Sequence, residues 1–185
     1  MRVVNRWTLG AAFALVFAVG AVADGGKTFV MADECDPRDP DWNAVGGCFH
    51  ERGDVTRAEF RAANQLGFPG HPAWRFVPPY LADQSGSEIR VRNTGGRVHT
   101  FTEVAGFGGG YNAGQNARGS TPAPECANVD PVTGALTPTA VALSSTLAPG
   151  GEMRVEGLTP GTHNFQCCIH PWMRSTVRIS AEDQH

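Results

Sequence analysis

The sequence is short of positive charge: 15 lysines and arginines stand against 18 acidic residues, for a formal charge of −3, and no basic stripe runs along it. A nucleic-acid-binding surface is therefore not expected. It also lacks an internal repeat at any fixed period, and beyond its first 23 residues no apolar run is long enough to span a membrane. Charged residues are few, at 18%, but 41% of the chain is hydrophobic, which allows a packed core and excludes global disorder. The acidic stretch Asp33-Glu34-Cys35-Asp36-Pro37-Arg38-Asp39-Pro40-Asp41 lacks the ligand spacing of an oxygen-cage calcium loop and reads as a solvated loop. What the chain has in excess is glycine and proline, 23 and 13 of 185 residues, which favours a loop-rich β protein of one domain.

The start of the chain reads as an export signal over residues 1–23. Arg2 and Arg6 precede an uncharged run from Trp7 to Ala23 that closes on Ala21-Val22-Ala23, the small-x-small pattern of signal cleavage. Seventeen uncharged residues sit at the short limit for a spanning helix, so a membrane anchor is the alternative if cleavage fails. The expected product is a small acidic protein, periplasmic or extracellular, in a compartment where disulfides persist.

Three regions emerge from the patterning. Residues 24–75 hold a short strand from Lys27 to Met31, the acidic loop and one helix, from about Asp54 to Leu66. Thr56 and Glu59 have capping-box spacing, and Gly67 with Pro69 would end the helix. From about residue 76 to 180 the chain alternates strands and turns. Ile89 and Val91 alternate with charged neighbours, Gly95-Gly96 turns into Val98 to Val104, and Met153 with Val155 begins a further strand. Thr162 to Cys168 and Ser175 to Ile179 come after Pro160-Gly161. A Gly/Pro/Asn-rich passage from Gly106 to Pro138 interrupts this pattern. The expected architecture is all-β: an antiparallel β-sandwich with a short inserted helix, packed beside the N-terminal strand and loop, and one long loop.

The chemistry concentrates in Cys167-Cys168-Ile169-His170-Pro171-Trp172-Met173. Counted from Cys167 this is Cys-x-x-His-x-x-Met: a thiolate, an imidazole and a thioether within seven residues. Such donors suit a soft or borderline ion, and with a second imidazole they are the ligand set of a mononuclear electron-transfer copper site. His99 is the natural candidate, in Asn93-Thr94-Gly95-Gly96-Arg97-Val98-His99-Thr100-Phe101, where a strand and a glycine turn lead into a histidine among apolar residues.

On these two motifs, in this order, the chain from Phe76 to Ile179 resembles the cupredoxins, the blue-copper family of plastocyanin, pseudoazurin and amicyanin, and most nearly the amicyanin-like short ligand loop. The resemblance implies a Greek-key sandwich holding one copper ion that cycles between Cu(I) and Cu(II). His99, Cys167 and His170 would form a trigonal plane, with Met173 axial. It also places Asn93 and Thr100 behind the ligands and makes Pro171 and Trp172, beside His170, a docking patch for a protein redox partner. The sequence departs from the family at Thr100, where cupredoxins often carry an asparagine that braces the two ligand loops, and at Cys168, directly after the proposed thiolate. Strand alternation turns neighbouring side chains to opposite faces, so Cys168 should face away from a metal held by Cys167.

With Cys167 taken as ligand, the odd count of five cysteines leaves four. Cys35 with Cys48 and Cys126 with Cys168 is the expected pairing among three possible ones. His50 and His71 read as loop or surface residues, and His163 shares a strand face with Cys167. No His-x-His pair of the kind a trinuclear copper cluster needs is present, which argues against an oxidase. The expected function is an exported single-electron carrier: a monomer that is not an enzyme and has no small-molecule substrate. Two alternatives stay open, a copper module for storage, delivery or sensing, and a structural domain with a vicinal Cys167–Cys168 disulfide.

Overall fold

The computed structural model describes residues 27–65 and 70–181. The expected export segment and the Gly67/Pro69 helix stop lie outside the described residues.

The chain opens with β1 (Lys27–Ala32), whose alternation buries Phe29 and Met31 on one face. A short α1 (Pro40–Asn43) comes next, capped by Asp39, whose carboxylate accepts from the Asp41 amide. Then comes α2 (Arg57–Gln65). Its start is a reciprocal capping box, with the Glu59 amide donating to Thr56 Oγ1 and the Thr56 amide donating to Glu59 Oε2. Strands β2 (Arg75–Val77), β3 (Tyr80–Gln84), β4 (Ile89–Asn93), β5 (His99–Thr100) and β6 (Thr102–Val104) carry the chain across the molecule. The passage from Gly106 is not a bare loop. It contains the hairpin β7 (Ala127–Val129) and β8 (Leu136–Pro138), and beyond it lie α3 (Ala140–Ser144), β9 (Thr146–Leu147), β10 (Glu152–Val155), β11 (Gly161–Gln166) and β12 (Arg174–Ser180).

Two four-stranded sheets form the expected sandwich, ordered β10-β4-β1-β2 and β3-β12-β11-β6. Antiparallel pairing dominates, but each sheet has one parallel pair, β1 with β4 and β12 with β3. Phe29, Phe76 and Val91 from one sheet meet Phe165, Val177 and Ile179 from the other in a single core. Phe101, between β5 and β6, ties the halves together: its ring stacks on Phe165 at 4.4 Å and tilts against Phe29 at 5.3 Å. Burying side chains of this size stabilises by roughly 1.5–3 kcal/mol each.

One expectation needs correcting. The boundary placed between residues 75 and 76 separates no structural unit, because β1 is an interior strand flanked by β4 and β2 and contributes Phe29 and Met31 to the shared core. Its hydrogen-bonding partners come from sequence far away, a relation that local patterning does not carry.

Both expected disulfides are formed, Cys35–Cys48 and Cys126–Cys168, and Cys167 is the free cysteine. A vicinal Cys167–Cys168 bond is thereby excluded. The second disulfide fastens the glycine-rich passage to the strand end in a small cluster of its own, with Val104, Ala123 and Ala142.

Candidate metal centre

The ligand-bearing turn begins directly at the end of β11. The Cys167 amide donates to the Met173 carbonyl at 3.0 Å, and the Met173 amide donates to the His170 carbonyl at 2.9 Å, so residues 167–173 close on themselves. His99 arrives from β5, paired with Leu147 of β9. Its position is set by the preceding turn. Asn93 is buried, and its amide group donates to the carbonyls of Arg97 and Leu147 while its Oδ1 accepts from Gly95. Gly96 has no room for a side chain: a Cβ there would sit 2.5 Å from Cys35 Sγ and 2.7 Å from Cys48 Sγ.

These elements bring three donors together. Cys167 Sγ lies 3.9 Å from His99 Nδ1 and 3.8 Å from His170 Nδ1, and the two nitrogens are 3.2 Å apart. A point equidistant from all three lies about 2.1 Å from each, which is the length of a bond from a transition metal to imidazole nitrogen and close to that for thiolate sulfur. The three residues therefore fit a metal ion, and the donor chemistry of one thiolate and two imidazoles fits copper. His99 and Cys167 are fully buried, and His170 keeps 7% of its surface exposed. Met173 is buried in the same turn.

Thr100 does brace the two ligand segments. The Cys168 amide donates to its Oγ1 at 2.8 Å, and the Thr100 amide itself points at Cys167 Sγ at 3.4 Å. A second amide, from His170, reaches the same sulfur at 3.4 Å. Two N–H groups aimed at the sulfur favour its ionised form.

The residue that sequence reasoning missed is Asp33. Placed among solvated acidic residues, it is instead buried with its side chain sealed from solvent, and it accepts a hydrogen bond from His99 Nε2 at 2.7 Å. Its other acceptor positions are filled by the amides of Gly96, Arg97 and Cys35. A signal was present: Asp33 continues the inward alternation of Phe29 and Met31, which puts a carboxylate at a core position of β1's extension. The contact fixes the His99 tautomer. With Nε2–H donating to the carboxylate, the Nδ1 lone pair is left for a metal.

The electrostatics of the cluster rest on the same contacts. Burial pushes the Asp33 carboxyl up, but the hydrogen bond from His99 and the backbone amides outweigh it and bring the pKa to about 2. Burial likewise disfavours a charged His99, yet Asp33 and the Cys167 sulfur raise it to about 9. Burial opposes ionisation of Cys167, and the two imidazoles overcome that and hold the thiol well below its usual range. His170 goes the other way, because burial outweighs its attraction to the sulfur.

Pro171 is buried, and Trp172 is half-buried, its Nε1 donating to the His71 carbonyl. Gly70 lies against the Trp172 ring with φ +77°, and a Cβ there would approach the indole to 2.3 Å. Phe60 of α2 packs edge-on to His170 at 5.9 Å and also touches Trp42, Trp74 and Trp172, so the inserted helix roofs the ligand turn. The other histidines are placed apart from the donors. His50 is a loop residue bonded to the Asp33 carbonyl, His71 packs on Trp74, and His163 pairs with Glu103 at 2.6 Å.

No protein-family model matches the chain, and no curated protein is significantly similar to it. Solved structures similar to it include a purple cupredoxin from Nitrosopumilus maritimus, 12% identical over 83% of this chain and 99% of that one, with a TM-score of 0.39. An oxidised amicyanin variant is 15% identical over 89% and 90% of the two chains, with a TM-score of 0.39. The oxidised plastocyanin of Dryopteris crassirhizoma is 14% identical over 83% and 99%, also with a TM-score of 0.39. These likenesses are remote, and the chemistry of the site is read from its own geometry.

Proposed function

We propose that the protein is an exported mononuclear copper protein that passes single electrons between redox partners and performs no substrate chemistry of its own. His99, Cys167 and His170 would hold the ion, with Met173, buried in the same turn, as a fourth donor. When bound, copper supplies one-electron chemistry by cycling between Cu(I) and Cu(II). The chain's own residues do the rest. Asp33 orients His99, the Thr100 and His170 amides stabilise the Cys167 thiolate, and the core formed by Phe101, Phe165 and Trp74 excludes water. His170, the one donor with an edge at the surface, is the route by which electrons enter and leave. The two disulfides support export, since such bonds persist in oxidising compartments.

The observation that carries this reading is the buried triangle of donors, closed on all sides but one. Copper modules for storage or delivery need their ligands accessible to an exchanging partner, and full burial of Cys167 and His99 disfavours that use. The test is to add Cu(II) to the purified protein. An intense visible thiolate-to-copper band with a reversible voltammetric wave is expected, both lost in Cys167→Ala. Cu(I) that is readily surrendered to a chelator, with no reversible wave, would overturn the carrier reading in favour of the storage one.

A further inference from the structure

The surface edge of His170 opens into a cleft of about 740 Å³, the size of a small-molecule site rather than a flat docking face. Its walls come from α2, from Arg97 and Val98 before β5, and from Asn112 to Gln115 in the glycine-rich passage. Three guanidinium-bearing residues line it, Arg57, Arg61 and Arg97, and no carboxylate does so among the described residues. The whole chain carries a net charge of −3, so this concentration of positive charge runs against its background.

None of the three arginines has an ion-pair partner among the described residues. Arg57 and Arg61 are one helical turn apart on α2, a like-charge spacing that costs helix stability. Two carboxylates near that end of the helix are committed elsewhere. Asp39 accepts from the amides of Asp41 and Arg57, and Glu59 accepts from Thr56. Arg97 is held rigidly, its guanidinium donating to the carbonyls of Val45 and Gly47 and lying over the Trp42 ring at 5.1 Å. Burial lowers its pKa, the nearby Asp33 carboxylate opposes that, and the charge of Arg57 adds a smaller lowering, so Arg57 and Arg97 repel each other. An arrangement of cations that costs energy in the empty protein is relieved by an anion, and guanidinium groups hold carboxylates and oxyanions in two-pronged hydrogen bonds.

We propose that this cleft is a binding site for a small anion, an oxyanion or organic carboxylate, held by Arg57, Arg61 and Arg97 at the exposed edge of His170. A small molecule is favoured over an acidic protein surface because the cleft is concave and His170 is only 7% exposed within it. Binding depends on the arginines and not on a metal, so its failure would leave the copper reading intact.

The test uses the metal-free full-length chain, titrated with inorganic phosphate and with citrate against sodium chloride of matched ionic strength, followed by amide and arginine Nε–H NMR shifts. Saturable shifts are expected at Arg57, Arg61, Arg97, Asn112 and His170. Arg57→Gln and Arg61→Gln, both on the surface of α2, should each weaken binding about tenfold, whereas Arg178→Gln on β12 should leave it unchanged. Shifts that do not saturate, or equal weakening in Arg178→Gln, would overturn the proposal. So would saturable binding of hexaglutamate with phosphate and citrate inert, which would make the cleft a docking surface for an acidic protein.

Discussion

Replacing Asp33 with asparagine keeps the shape of the side chain and removes its charge, and the geometry determines the cost. Oδ1 accepts from the amides of Cys35 and Gly96, and Oδ2 accepts from the Arg97 amide and His99 Nε2. In either orientation the new NH2 group faces two donors, so two of four hydrogen bonds are lost and buried N–H groups are left unpaired. Hydrogen bonds to a charged acceptor contribute about 1.5–3 kcal/mol each, so the metal-free variant should lose roughly 3–6 kcal/mol in chemical denaturation at neutral pH. Loss of an orienting partner behind a metal-binding histidine typically costs 10–100-fold in affinity. The reduction potential should rise as well. One unit charge at roughly 6 Å, in an effective dielectric of about 20, is worth about 3 kcal/mol, on the order of 100 mV. Denaturant titration, competition for copper against a chelator and voltammetry read the three effects separately. A variant that is destabilised but keeps wild-type affinity and potential would show that Asp33 serves only the fold, and would refute its action through His99.

Other perturbations give equally definite outcomes. Thr100→Val keeps the volume but leaves the Cys168 amide without its acceptor, which should cost about 1–3 kcal/mol in denaturant titration and shift the thiolate-to-copper band; an unchanged stability and spectrum would remove Thr100 from the brace. Trp172→Ala removes the turn's contact with Phe60 of α2 and with the His71 carbonyl, and for a half-buried indole a loss of roughly 2–3 kcal/mol is expected, together with faster removal of copper by a chelator. His163 has its pKa raised by the hydrogen bond to Glu103, against a smaller opposing effect of burial. The stability this pair contributes is therefore fully present below about pH 6.5, the ordinary histidine value, and is lost as pH rises through the raised folded value. Denaturation curves of the wild type and His163→Gln should converge as pH rises through that range, and parallel pH profiles would contradict the linkage.

Much of the site could be read from the chain because its candidate donors are local. Cys167, His170 and Met173 fall within one turn, and His99 is announced by Asn93 and the Gly95-Gly96 pair. The two disulfides became assignable once one thiol was given to a metal. What escaped depended on tertiary proximity. Asp33 lies 66 residues from its partner His99, and only its register with Phe29 and Met31 hints at burial. The helix was expected from its capping box, but nothing in Arg57-Ala58-Glu59-Phe60-Arg61 tells that Phe60 would pack on His170 and the arginines line a cleft above it. The passage from Gly106 read as loop because glycine and proline dominate it, and its order comes from the Cys126–Cys168 bond and the cluster around Ala123.

The adjacency of Cys167 and Cys168 bears on how the protein survives its own chemistry. An ionised thiol beside a disulfide is ordinarily set up for exchange, in which the thiolate attacks a sulfur of the neighbouring bond and takes its place. Here the alternation of the strand end sends Cys167 into the main core with Phe101 and Met173, and Cys168 into the separate cluster with Val104 and Cys126. Scrambling would require the end of β11 to come apart, so the backbone itself insulates a reactive sulfur from an oxidised one a single peptide bond away.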